Sequence, residues 1–415
     1  MGAGVTPLSD VRAGVDRIVT RAAGPTPRRV HAGFAVAVAA TVVMMAGASA
    51  PSPFYPGLQT SLGLAPWVMT TVFAVYALAL LVTLLVFGSV SDHVGRRPVV
   101  TIGFLLLAGS FALFWHADAV NLLVAARVLQ GVASGLLLST LSTVVTDLEP
   151  PNRPGLAALA NGVAPMAGLA VGALVAGAVL DLTGAALRDV FGGLTALALL
   201  LAVGVRLVPE TAPRRAGLLA SLRPRVAIPP PIRGLLARSA PAIVAGWATG
   251  GLFLSLGAAV VRTRFDGAGH LVQGLTVALL AGAGALAVLV SNRYGARAVT
   301  IYGTAALSVG TLLTLAGLAV GSEPAYLAAV VVTGTGFGTA FAGILRSVVP
   351  LLRPDERAEA FAVVYVVSYL AFGVPAVVAG LVTPSAGLLA TTSAYGVVVA
   401  LLAATAAVLR WRSRG

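Results

Sequence analysis

Charged residues make up only 10% of this 415-residue chain, so the places where they gather define the chemistry available to it. One cluster is Gly88-Ser89-Val90-Ser91-Asp92-His93-Val94-Gly95-Arg96-Arg97-Pro98. Asp92 can cap a helix N-terminus or pair with Arg96 or Arg97. Gly95 permits a tight turn, and Gly88 lets helices approach closely. This chemistry fits a switch; plain topological charge is the simpler alternative. A second cluster is Arg353-Pro354-Asp355-Glu356-Arg357-Ala358-Glu359, where proline and acids fit the start of a helix. Arg127 stands apart, inside an apolar run and followed by Gln130, Gly131 and Gly135. An arginine in hydrocarbon is costly unless it is paired or faces water. No Asp or Glu lies in any apolar run to neutralise it. Backbone carbonyls, Gln130, water or an anionic ligand must do so.

Other chemistries are excluded by what is missing. The chain has no cysteine, so disulfides, thiol nucleophiles and cysteine metal sites are ruled out. Its histidines, His31, His93, His116 and His270, are scattered, with no ligand-spaced pair. No metal site, cofactor or catalytic set is expected, and an enzyme acting on lipid-linked substrates finds no acid pair to use. Gly334-Thr335-Gly336-Phe337-Gly338 looks like a phosphate loop, but it has no preceding strand and no lysine. Close helix packing explains it better.

The elements that must position these residues are set by hydropathy. Hydrophobic residues form 58% of the chain. Crossing roughly 30 Å of hydrocarbon takes about 20 apolar residues in a helix. Twelve such runs are read, at 33–50, 66–87, 98–115, 120–146, 155–180, 190–208, 240–261, 270–290, 298–320, 324–345, 360–382 and 387–409. The chain carries no lysine. With the N-terminus inside, 23 arginines fall in or beside cytoplasmic loops; Arg188, Arg262 and Arg264 fall outside, and Arg127 is intramembrane. That asymmetry places both termini in the cytoplasm of a bacterial inner membrane, and an odd helix count would scramble it. The basic balance is thus spent on topology and lipid headgroups, not on nucleic acid. The expected organisation is a tail (1–31), a six-helix bundle (32–208), a basic linker stiffened by Pro229-Pro230-Pro231 (209–239), a second six-helix bundle (240–409) and a short tail (410–415). Residues 9–19 could form a helix on the membrane surface.

A repeat relates the halves. Ser91 to Val99 and Ser291 to Val299 share serine, glycine, the second arginine and valine in register, with Asn292 in place of Asp92. Duplicated bundles are the architecture of alternating-access carriers. The loop from Gly88 to Pro98 resembles the signature of the major facilitator superfamily. Arg127-Val128-Leu129-Gln130-Gly131 resembles its second motif. Pro53-Phe54-Tyr55-Pro56 after Gly47, and Ala164-Pro165-Met166-Ala167-Gly168, resemble motifs of twelve-helix drug:proton antiporters, although Ala164 replaces a glycine. Val208-Pro209-Glu210-Thr211 is similar to the family's sixth-helix ending. The resemblance implies an all-α membrane fold with a central cavity. It implies a monomer in the lipid bilayer that carries small molecules, by proton-coupled efflux of amphipathic compounds. Uptake or facilitated passage of a small, anionic metabolite held by Arg127 is the alternative. It also implies a latch on the cytoplasmic side, in which Asp92 docks on the helix start at Asp355, Glu356 and Glu359 when the inside is closed. The cavity candidates are Arg127, Gln130, Gly131, Pro165, Met44, Trp247, Tyr365 and Tyr369. Without a core carboxylate, proton coupling would fall to membrane-edge groups: Asp92, Asp147, Asp181 or His31.

Overall fold

A computed structural model describes residues 27–213, 215–224, 226–353 and 356–412. Among these residues every regular element is helical. Twelve long helices dominate: α1 Pro27–Ser49, α2 Pro66–Phe87, α3 Arg96–Trp115, α4 Val120–Asp147, α5 Leu156–Leu182, α6 Ala186–Gly204, α7 Arg233–Ser255, α8 His270–Ser291, α9 Ala296–Val320, α10 Glu323–Val348, α11 Arg357–Ala386 and α12 Leu388–Arg412. Eleven are long and apolar enough to span a membrane, and α7 joins them when counted with the short helix Gly257–Arg264, from which it is bent by 58°. The anticipated helix at 9–19, Asp355, and the outer parts of both tails lie outside the described residues.

The expected seventh span, 240–261, is therefore not one straight helix. It breaks at Leu256, after Ser255 turns its hydroxyl back onto the Gly251 carbonyl at 2.6 Å. Serine bonded to the carbonyl four residues back bends helices. α1 ends in a related way. Ser49 donates to Leu169 O at 2.8 Å and Ala46 O at 3.2 Å, and Pro51 and Pro53 follow. Past that break the chain continues as a single turn, Ser52–Phe54, and a short helix, Tyr55–Ser61. Elsewhere helices extend beyond their apolar runs into arginines, as at Arg96, Arg357 and Arg412. Arginine is a good helix former and carries its charge out of the apolar zone on a long stem.

Helices α1 to α6 form one bundle around Phe73, Phe104, Phe111, Phe114, Leu107 and Leu137. Helices α7 to α12 form the other, in which α9 packs along α10 and α7 along α11 and α12. In lipid, apolar contact alone does not drive helix association; small residues that admit close backbones do. The seven-residue ladder Gly303, Gly310 and Gly317 on α9 does this against Ala340, Thr333 and Tyr326 of α10. The bundles meet through α2 on α11 and α5 on α8. One end of the molecule carries Arg96, Arg97, Arg153, Arg206, Arg293, Arg346 and Arg353. The other carries Arg188, Arg262 and Arg264. We call these the arginine-rich and arginine-poor ends. The linker is tied to the first bundle at the rich end, where Arg215 N donates to His93 O at 3.0 Å and Ser89 Oγ to Ser221 O at 3.2 Å.

Candidate functional site

The latch residues come together at the arginine-rich end. Gly95 has φ +102°, a conformation that favours glycine, and an added Cβ would lie 2.9 Å from Glu210 Oε2. Glu210 is the cap of α3: its carboxylate accepts from Arg96 N at 2.8 Å and Arg97 N at 3.0 Å. Negative charge there also complements the helix dipole. Asp92 instead forms an ion pair with Arg96, which lies 3.6 Å from Asp147. Asp147 accepts the Thr211 hydroxyl at 2.7 Å. Arg97 donates to the carbonyls of Val208 and Arg206. One network therefore joins the loop before α3, the end of α4 and the segment after α6.

One expectation changes here. Gly88 does not serve close packing between helices, because the nearest atoms to an added Cβ belong to Leu84 of its own α2. The Asp92 ion pair lies within the first bundle, and Glu356 closes its own turn by accepting from Arg353 N at 3.0 Å; docking of Asp92 on α11 is expected of the state closed at this end. Glu359 sits in the first turn of α11, and Asp355 lies outside the described residues. In the repeated loop, Arg346 of α10 takes over, donating to Ser291 O at 3.0 Å and Tyr294 O at 2.8 Å. Arg346 was not singled out from sequence, and Glu210 stood out only as part of the ending Val208-Pro209-Glu210-Thr211, with no role assigned to it.

Arg127 is 1% exposed, deep in the first bundle. Its Nε donates to the Tyr55 hydroxyl at 2.9 Å, and Nη2 donates to the same oxygen. Nη1 donates to Gln130 Oε1 at 2.5 Å and Ala48 O at 3.4 Å. Gln130 Nε2 in turn donates to Gly47 O at 2.8 Å. The guanidinium lies 5.3 Å from the ring centres of Tyr76 and Phe114 and 5.5 Å from that of Tyr55. Hydrogen bonds from a charged group are worth roughly 1.5–3 kcal/mol each, and a desolvated cation–π contact about 2. Together these offset the ~2.5–3.5 kcal/mol cost of an intramembrane arginine without any carboxylate. Tyr55 was not among the expected site residues.

The other candidates divide. Trp247 of α7 and Tyr369 of α11 stand 4.9 Å apart between ring centres, with Tyr365 6.3 Å from Tyr369. Phe341 of α10 and Phe372 of α11 complete the cluster around Trp247. The Phe372 ring centre also lies 4.8 Å from that of Phe73 on α2, so the cluster spans both bundles. Met44, at 1% exposure, is buried in the same apolar cluster as Phe73, Tyr369 and Phe372. Gly131 is a packing position, not an open one, with an added Cβ 2.7 Å from Ala79 Cβ of α2. Pro165 is half-buried inside an uninterrupted α5.

At the arginine-poor end the bundles are shut. Gly177 of α5 lies so close to α8 that a Cβ would come within 2.6 Å of His270 O, and Gly380 of α11 packs on Trp67 and Thr70 of α2. Asp181 of α5 accepts from His270 N, His270 Nδ1 and Leu271 N at 3.0, 2.8 and 2.8 Å. Ser52 donates to Leu254 O at 2.8 Å, and Arg262 to Pro56 O at 3.0 Å.

Two six-helix bundles joined through α2–α11 and α5–α8, and closed on each other at the arginine-poor end, define a multi-pass membrane carrier. Residues 37–291 match the Major Facilitator Superfamily, and the chain belongs to that family. Members of this family are carriers, not enzymes. The multidrug efflux pump LfrA of Mycolicibacterium smegmatis is 32% identical over 182 residues, covering 42% of this chain and 33% of the pump. Puromycin resistance protein pur8 of Streptomyces alboniger is 32% identical over 155 residues, covering 37% and 31%. The matches thus span about a third of these relatives' length. Among solved structures, an inward-facing, unoccupied bacterial homologue of the human lysosomal transporter Spinster superposes with TM-score 0.76 at 14% identity, covering 94% of this chain and 98% of that one. The E. coli xylose transporter XylE, partially occluded and inward open, gives 0.73 at 14% identity, covering 93% and 99%. At such identities the likeness is one of fold.

Proposed function

We propose that this carrier exports small amphipathic organic compounds from a bacterial cytoplasm by alternating access, coupled to proton entry. The observation that carries this reading is the aromatic cluster of Trp247, Tyr365, Tyr369, Phe341, Phe372 and Phe73, which bridges the bundles without an acid or arginine among its members. Aromatic faces with a few polar groups suit flat, amphipathic molecules. Ser368, on α11 between Tyr365 and Phe372 at helical spacing, is buried with its hydroxyl unpartnered and supplies one such polar group. The names of LfrA and pur8 support drug export. The arginine asymmetry supports a cytoplasmic arginine-rich end, which makes this conformation the one closed to the outside. The alternative, an anion held by Arg127, loses its support because that guanidinium is enclosed and bonded to neutral oxygens.

For coupling, Asp181 is the carboxylate that bridges the bundles, and its bonds to α8 must break for the outside to open. The test is flux in proteoliposomes. A fluorescent amphipathic dye should move against its gradient when protons run the opposite way, and Trp247→Ala should slow it several-fold. Dye flux indifferent to the pH gradient would end the coupling claim; flux indifferent to Trp247→Ala would end the assignment of the site.

A further inference from the structure

We propose that Arg127 and Tyr55 are positioning residues of the closure at the arginine-poor end. They hold the strap Ser52–Ser61 in the place on which the second bundle shuts. α1 stops at Ser49, leaving its last carbonyls without helical donors. Two of them are taken by α4: Gly47 O by Gln130 Nε2 at 2.8 Å and Ala48 O by Arg127 Nη1 at 3.4 Å. The same guanidinium reaches past the break to the Tyr55 hydroxyl with Nε and Nη2. One buried side chain thus clasps both sides of the interrupted helix.

The far side of the strap is what the second bundle touches. Ser52 donates to Leu254 O, just before the break in α7, and Arg262, on the short helix after that break, donates to Pro56 O. The strap therefore meets the second bundle on both sides of the break in α7. Phe54, Tyr55 and Leu58 of the strap are buried in the first bundle, Phe54 with its ring centre 5.4 Å from that of Phe191, and a hollow of about 450 Å³ opens beside them, lined by Trp115, Leu187 and Arg188 among others. The second bundle holds its bent segment with a different arginine: Arg264 donates to Leu318 O at 2.6 Å and Ala319 O at 3.1 Å at the end of α9, while Val260, Val261 and Phe265 pack in an apolar cluster with Val330. Each side of the closure is thus fixed to its own bundle by an arginine, Arg127 on the first and Arg264 on the second. The proposal holds whichever compound is carried.

The chain has no cysteine, so single reporters need no background removal. Thr70→Cys reads the arginine-poor end, where Thr70 is fully buried against Gly380. Asn161→Cys, half-buried between α4 and α5, reads the arginine-rich half. Each is placed in the full chain in nanodiscs and labelled with a maleimide. Tyr55→Phe should raise labelling of the Thr70→Cys reporter about tenfold, the factor for one hydrogen bond to a charged group, while labelling of the Asn161→Cys reporter falls. Arg127→Ala should do the same. The double variant should do no more than either alone, because both act on one contact. Rises at both reporters would mean a loosened fold and would overturn the proposal, as would an unchanged rate for Thr70→Cys or multiplying effects. Tyr55→Phe keeps the ring and its packing, so the test stands even where Arg127→Ala does not fold.

Discussion

A carboxylate at the start of a membrane helix does two jobs at once, and Glu210 does both for α3. It satisfies two backbone donors and places negative charge on the positive helix pole. Glu210→Gln keeps the shape but loses the charge and one acceptor, and should lower thermal stability in detergent by about 1 kcal/mol. Asp92→Asn removes the pairing with Arg96 while leaving that cap intact, so its stability loss should be smaller. A larger loss for Asp92→Asn would reverse the ranking of the two acids. Sequence made Asp92 conspicuous, through its spacing to Gly95 and Arg96. It could not show Glu210 reaching back across more than a hundred residues, nor Tyr55 finding Arg127 from another helix. Those contacts are created by folding alone, and no local spacing announces them.

Among the elements, α9 and α10 show how glycine substitutes for apolar attraction inside lipid. A Cβ at Gly310 would lie 2.5 Å from Thr333 N, and one at Gly317 2.8 Å from Tyr326 Cα. Gly310→Val should therefore cost ~1–3 kcal/mol as overpacking, whereas Gly193→Ala on α6, with open space around it, should be neutral or slightly stabilising. Equal melting temperatures for the two variants would refute the ladder. The helices themselves were plain in the sequence: the run at 66–87 matches α2 end for end. Hydropathy averages over about twenty residues, so it could not register the one-residue break at Leu256. That break depends on where Ser255 aims its hydroxyl, a choice invisible to periodicity. Arg127 was legible as an anomaly, yet whether it faced a ligand or the protein turned on which neighbours would surround it.

At the scale of the whole molecule, the two ends must alternate, because a carrier open at both would be a leak. The structure shows the arginine-poor end shut, with Gly380 seated on Thr70. Cysteines introduced in place of Asp181 and His270, whose side chains meet across the bundles at 2.8 Å in this state, should therefore crosslink readily. The reciprocal state would bring Asp92 towards the start of α11, where backbone N–H groups and the helix dipole favour a carboxylate. Cysteines in place of Asp92 and Ala358 should crosslink only when the arginine-poor end is open. Locking the Asp181 and His270 positions together first should then suppress the bond between the Asp92 and Ala358 positions, since ligand or chemistry can only shift one shared equilibrium. If both bonds form together in a single molecule, the bundles do not rock as rigid bodies, and the latch at Asp92 has some other work.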